Sequence, residues 1–524
     1  MKISLLPVIA AALIAGTAFG QTPTPTPVMT SRAAARFLDQ ATWGATPAAI
    51  AQFQQIGIAN WLTAQFVANT SDLPDQPILT ADGKNNTSLA PVNAAFYQNA
   101  VTGQDQLRQR VAFALSQIWV VSQQSGVTFA YAYPPYWRIF RDNAFGNYRD
   151  LIKAVTLSPA MGRYLNMANN NKGNPAKGTA ANENYARELM QLFTLGLDKL
   201  NPDGSLMLDQ NNNPIPTYDQ TVVTNMAKVL TGWTYPTAPG ATAKANNPQY
   251  FFGQMFAVPA EHDTSLKTIF DNIVIPANQT PQDDLDALLN ALISRPTMAP
   301  FISKQLIEHL VTSNPSPAYI QRVSIVFLDD GNGVVGNLQA VITAILTDPE
   351  ARAGDDPNAT VSPNFGHMRE PILFMTNVLR GLNATLSATS TINGYASELG
   401  ENLFNAPSVF SYFSPQYRTE KGLLGPEFQL YSTQTASQRA NIVNSIVYGK
   451  FDGATTFNFT PFINQAGNTT NLLNYIAGVF LHGSMSTALQ QAATDAVNAV
   501  ATPQAKAQAA LYVVLTSGEY QIIQ

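Results

Sequence analysis

The segment Asn182-Glu183-Asn184-Tyr185-Ala186-Arg187-Glu188-Leu189-Met190-Gln191 brings two carboxylates, a guanidinium and several amides together in a chain with only 12% charged residues. At about 100° per residue, Glu183, Asn184, Arg187, Glu188 and Gln191 share a polar arc, with Tyr185, Ala186, Leu189 and Met190 opposite. Glu188, flanked by Asn184 and Gln191, has the surroundings of a general base or of a carboxylate that grips a hydroxyl-rich ligand. Glu183 lies about 140° away around the helix, so the two acids cannot chelate one ion as an i, i+4 pair would. Helix stability accounts for part of the pattern. Glu183 precedes Arg187 by four residues, the favourable order, and lies in the first turn behind Asn182, a good N-cap. A solvated face and a cleft wall therefore both remain open.

The four histidines, His262, His309, His367 and His482, are far apart and form no HExxH pair. His262 stands in a loop-like stretch with Asp263 and Lys267, where a histidine can do chemistry as well as packing. The candidate catalytic set is thus Glu188, Glu183, Arg187 and His262, with Asn184, Gln191 and Lys267 as binding residues. Tyr131-Ala132-Tyr133-Pro134-Pro135-Tyr136-Trp137 reads as a loop, which would offer the rings of Tyr133, Tyr136 and Trp137 to a sugar; Trp119 is expected to be buried. The arginines at 108, 110, 138, 141, 149 and 163 are expected to pair with acids such as Asp105, Asp142 and Asp150 rather than line an anion cleft. No metal ligand set, Gly-rich phosphate loop or nucleophile elbow is found, and no cofactor is assigned.

Helices must position these groups. Apolar periodicity with caps and first-turn prolines predicts helices at Arg32 to Trp43, Pro47 to Phe66, Gln104 to Ser122, Tyr148 to Thr156, Asn182 to Leu197, Asp219 to Thr231, Pro281 to Ile293 and Met298 to Thr312. The pattern continues at Pro317 to Phe327, Val335 to Leu346, Arg369 to Leu382, Thr433 to Val447, Thr470 to Leu481, Ser486 to Val500 and Pro503 to Leu515. Ser205 to Leu208 and Ile215 to Thr217 read as a hairpin. The expected class is mainly α, a large multi-helix orthogonal or irregular bundle with one small β-hairpin excursion. Residues 31–524 read as one helical domain, with a subdomain break conceivable at 354–366.

Met1-Lys2, the apolar run Ile3 to Gly16 and the ending Ala18-Phe19-Gly20 have the layout of a signal peptide, residues 1–20. The Thr/Pro tract that follows, 21–30, reads as a spacer. A net charge of −5 without a basic run argues against nucleic acid. Near-neutral mean hydropathy argues against an integral membrane protein. With no cysteine, the fold relies on packing alone.

Several ordered motifs carry a resemblance. Arg36-Phe37-Leu38-Asp39-Gln40-Ala41-Thr42-Trp43-Gly44, Leu107 to Gln117, Ala144 to Leu151, Pro159 to Leu165 and Glu183 to Gly196 come first. Leu230 to Thr234, His262-Asp263, Thr312 to Pro315, Arg369-Glu370-Pro371, Ala406 to Phe410 and Ser517 to Tyr520 follow. Together they resemble the bacterial DUF1800 family from about Ser31 to the C-terminus. The resemblance implies a mostly helical exported protein, often encoded beside an exported protein of phosphatase/sulfatase-like fold; it supplies no catalytic residues. The functional expectation is a binding or accessory role toward an extracytoplasmic polymer, such as a glycan, or a partner protein. The alternative is an acid/base hydrolase using a Glu/Arg/His cleft.

Overall fold

The computed structural model describes residues 29–387, 392–449, 451–453 and 455–524, so the expected signal peptide and most of the spacer lie outside the described residues. The chain is mainly α-helical, and its named strands form three small two-stranded antiparallel sheets. Helix starts follow local chemistry. Thr46, Thr280, Ser316 and Thr502 each accept a hydrogen bond from the backbone N–H three residues on, and each is followed by a proline whose missing N–H costs the first turn nothing. Such caps stabilise a helix by about 1 kcal/mol each. Tyr148–Thr156, Pro281–Ile293 and Thr433–Val447 match the expected spans to the residue.

Two expectations are corrected and a third is extended. The helix expected to run to Leu197 is shorter, Asn184–Gln191. The N–H groups of both Leu195 and Gly196 turn back onto the Met190 carbonyl, and Gly196 takes the left-handed φ of 77° that this closure requires. The Tyr131–Trp137 stretch is not a loop: after a 3-10 turn at Ala130–Ala132 it opens the helix Tyr133–Asn143, with Pro134 and Pro135 in its first turn. Tyr133, Tyr136 and Trp137 are accordingly buried; the Tyr133 hydroxyl donates to Val127 O (2.8 Å) and that of Tyr136 to Trp119 O (2.8 Å). The expected hairpin is part of a three-segment meander. Met207 N–H donates to Lys199 O, and Ile215 N–H to Met207 O, with isolated bridges Leu200↔Leu206 and Leu208↔Pro214.

One contiguous core runs from Ala34 to Ile523, and Trp119 is fully buried within it. Contacts cross the 354–366 stretch: the Arg36 guanidinium donates to Ala351 O and Gln524 O and pairs with Asp355. The strand His367–Met368 pairs antiparallel with Ile522–Ile523, which brings the end of the described chain onto the segment that carries Arg369 and Glu370.

Candidate functional site

The residues singled out around Asn184–Gln191 divide into separate groups. Glu183 is tied at the surface by Arg187 (3.1 Å), Gln220 and Thr224, and the hydrogen bond from Gln220 is the chief reason its carboxyl lies below the usual range. Asn184 is exposed and donates to Asn166 Oδ1. Gln191 accepts from the Tyr218 hydroxyl at 3.3 Å. Glu188 is half-buried with one oxygen unpaired; burial raises its pKa against the pull of Arg187. His262 belongs elsewhere. Its Nε2 meets Asp284 Oδ2 at 3.1 Å, Lys267 Nζ meets the same oxygen at 2.8 Å, and all three side chains are fully buried. Among the described residues no hydrogen bond or ion pair joins this triad to Glu188; the triad ties the Lys267–Ile269 strand to the Pro281–Ile293 helix.

A denser ionisable cluster forms from residues on other elements. The helix Gln106–Ile118 contributes Arg110 and Gln117; Met298–Leu310 contributes Glu308 and His309. His367 and Glu370 precede the helix Pro371–Gly381, while Glu401 and Glu427 come from segments outside α-helix. Gln117 Nε2 donates to Glu370 Oε2 at 2.9 Å, and Glu401 Oε2 caps the Pro371–Gly381 helix by accepting from Ile372 N–H at 2.7 Å. Burial, and then repulsion from the nearby Glu370 carboxyl, raises the Glu401 carboxyl well above its ordinary range, and burial raises that of Glu370 as well. Burial, reinforced by Glu427, likewise pushes Glu308 up to about 7. His309 is held neutral, driven down to about 3 by burial and then by Arg110. His367 Nδ1 contacts Glu427 Oε1 at 3.2 Å.

Several polar atoms of this cluster are buried without a partner among the described residues: Arg110 Nε and NH1, Gln117 Oε1, Glu401 Oε1, Glu427 Oε2 and His367 Nε2. Two small cavities of about 30 and 50 Å³ share Gln117 and Ser411 in their walls. Cavities of this volume have room for water rather than for a substrate. Among the described residues no group of three or more His, Asp or Glu is placed to hold a metal ion.

An open groove of about 660 Å³ lies on the surface, a volume in the range of ligand sites. Its walls include Thr128, Phe129, Arg163, Tyr235, Asn247 and Gln249. Asn247 is structural, since its side-chain amide donates to Tyr235 O and accepts from Lys244 N–H. Arg163, at the end of the short helix Pro159–Tyr164, is different: its Nε donates to Gly126 O at 3.1 Å, and its terminal nitrogens have no hydrogen-bond or ion-pair partner among the described residues. Tyr235 is largely buried and its pKa is raised to about 12, chiefly by burial, with Arg163 opposing.

Sequence reasoning grouped Glu188 with His262 and passed over the interior cluster. Its one legible signal was the motif Arg369-Glu370-Pro371, a glutamate directly before an apolar helix, together with Arg110 and Gln117 two turns apart on another. Glu401 and Glu427 carry no periodic signal. Of the arginines expected to be paired, Arg138 meets Asp72 and Asp75, Arg141 meets Asp72 and Asp142, and Arg149 meets Asp286.

The motifs that line the interior cluster lie within the region where the chain matches a family model described as "Protein of unknown function (DUF1800)", residues 36–522. No curated protein and no solved structure matches the chain. Spanning nearly all of the sequence, the match establishes that this chain belongs to the DUF1800 family.

Proposed function

We propose that the protein is an exported binding protein for a hydroxyl-rich extracytoplasmic polymer, a glycan chain, and that it takes one stretch of that polymer in the groove between Phe129 and Gln249. The observation that carries this reading is the size and make-up of the groove. About 660 Å³ accommodates a sugar unit or two, the half-buried ring of Phe129 suits a C–H face, and Thr128 and Gln249 suit hydroxyl oxygens. Export rests on residues 1–20, and an exported partner of phosphatase/sulfatase-like fold rests on the family resemblance alone. The test is a substitution that fills the groove without touching the core. Gln249 is exposed, so Gln249→Trp is expected to abolish retention on immobilised polysaccharide while leaving the unfolding midpoint unchanged. Retention equal to wild type would refute the groove as the binding site.

The acid/base alternative survives in changed form. Glu370 and Glu401 are two buried carboxyls with raised pKa, that of Glu401 raised in part by Glu370, and a pair of carboxyls with displaced pKa is the arrangement used in general acid/base hydrolysis. Access then requires the segment containing Phe410 and Ser411, which lines the neighbouring cavities, to move. On this reading Glu401→Gln abolishes turnover of a polysaccharide or ester substrate and spares groove binding; unaltered turnover in the variant removes the reading.

A further inference from the structure

We propose that the groove's ligand is acidic, a saccharide bearing an oxyanion that Arg163 grips end-on through its two terminal nitrogens. The proposal rests on the groove reading and adds the charge of the ligand to it. Many surface arginines are occupied by acids: Arg138 by Asp72 and Asp75, Arg187 by Glu183, Arg322 by Asp348 in a two-point contact at 2.7 Å, Arg295 by Asp271. Arg418, exposed, donates only to Gly422 O among the described residues. Arg163 differs from all of these in lining a groove. None of the groove's lining residues is acidic, and Arg163 meets no carboxylate among the described residues.

Its geometry is set rather than floppy. The bond from Nε to Gly126 O at 3.1 Å fixes the guanidinium plane, and a Cβ built on Gly126 would lie 3.5 Å from NH2, so that backbone packs directly against the group. With Nε committed, the remaining fork is the NH1/NH2 pair. That fork matches two oxygens of a carboxylate or phosphate with parallel hydrogen bonds, which a lysine cannot reproduce. Lys244 adds positive charge nearby; its backbone is tied to groove residue Asn247, and its exposed side chain has no carboxylate partner among the described residues. The wall supplied by Phe129 distinguishes a sugar carrying the oxyanion from the bare ion, because a free anion leaves the exposed part of that ring without contact.

Isothermal titration of the mature full-length chain against oligogalacturonate, glucose 6-phosphate and neutral maltoheptaose tests the proposal. Wild type is expected to prefer an acidic ligand over maltoheptaose by about tenfold or more, with affinity falling as salt is raised. Arg163→Gln is expected to erase that preference and the salt dependence, bringing the acidic ligands down to the affinity of maltoheptaose, with the unfolding midpoint unchanged; Arg163→Lys restores only part of the preference. Tighter binding of oligogalacturonate identifies a carboxylate ligand, and tighter binding of glucose 6-phosphate a phosphate. Equal affinity of wild type for acidic and neutral ligands, or an unchanged preference in Arg163→Gln, overturns the proposal. If Gln249→Trp still blocks maltoheptaose in that case, the groove reading stands and the acidic ligand alone is lost; if wild type binds none of the three, both fall.

Discussion

Burial raises the pKa of any carboxyl group, and the chain contains both ways of meeting that cost. At Asp39 burial is overcome by Arg369 and then by His482, whose Nε2 lies 2.9 Å from Oδ2, while Asn377 donates to Oδ1 at 2.8 Å; the carboxyl is held down at about 2. Glu308 has only Lys304, at 3.7 Å, against burial and Glu427, and rises to about 7. Its ordinary value is 4.5, so folding favours its protonated form. The stability this contributes is complete below that value and is lost as pH rises through about 7. His309 acts in the opposite sense: depressed to about 3, it costs stability as pH falls below 6.5. Comparison with a neutral substitute separates the two. Glu308→Gln and wild type are expected to differ little at pH 4.5 and to diverge toward pH 7.5 in favour of the variant, by up to roughly 3 kcal/mol. Urea unfolding across that range checks this, and a difference independent of pH would contradict the raised carboxyl.

Helices were the legible scale because their signals are local. A Thr or Ser followed by proline marks the starts of Pro47–Phe66, Pro281–Ile293, Pro317–Leu328 and Pro503–Thr516, and needs no knowledge of the rest of the chain. The same residue types misled at Tyr133-Pro134-Pro135. Two prolines beside aromatic residues read as an extended loop, yet both occupy first-turn positions, and the rings behind them face the core. The Asn184–Gln191 wheel correctly separated polar from buried residues, since Tyr185, Ala186, Leu189 and Met190 are all buried. It could not say what faces the polar side. Whether Glu188 meets His262 depends on how the Asn184–Gln191 helix and the Pro259–Glu261 turn are placed in the fold, and periodicity carries no information about that. The interior cluster was hidden for the same reason. Glu401 comes from an irregular segment and Glu427 from the 3-10 turn Pro426–Leu430, and their placement beside Glu370 depends on tertiary hydrogen bonds such as Ile372 N–H to Glu401.

At the scale of the whole molecule, the first described helix and the last residues are bound into one buried electrostatic assembly. Arg36 and Asp39 come from Ser31–Ala41, Arg369 from the segment before Pro371–Gly381, and Arg439 from Thr433–Val447. Residues 520–524 accept hydrogen bonds from all three arginines. Arg369 donates to Tyr520 O at 2.9 Å and Ile522 O at 3.0 Å, Arg439 to Gln521 Oε1 at 2.6 Å, and Arg36 to Gln524 O at 3.1 Å. The Tyr520 hydroxyl donates to Asn377 Oδ1 at 2.8 Å, and its ring lies 4.8 Å from the Arg369 guanidinium. Removing residues 520–524 would therefore leave buried guanidinium groups short of acceptors and strip the partner strand from His367–Met368, which leads directly into Glu370. Each buried donor left without its acceptor costs roughly 1–3 kcal/mol, several are lost together, and total stabilities of ordinary domains are only about 5–15 kcal/mol. The shortened chain is thus expected to lose its cooperative thermal transition, whereas Lys506→Ala, at a half-exposed position on Pro503–Thr516, is expected to leave it intact. A shortened chain that melts with the wild-type midpoint would mean that Arg36, Arg369 and Arg439 find their acceptors elsewhere and that the C-terminal strand does not hold the fold closed.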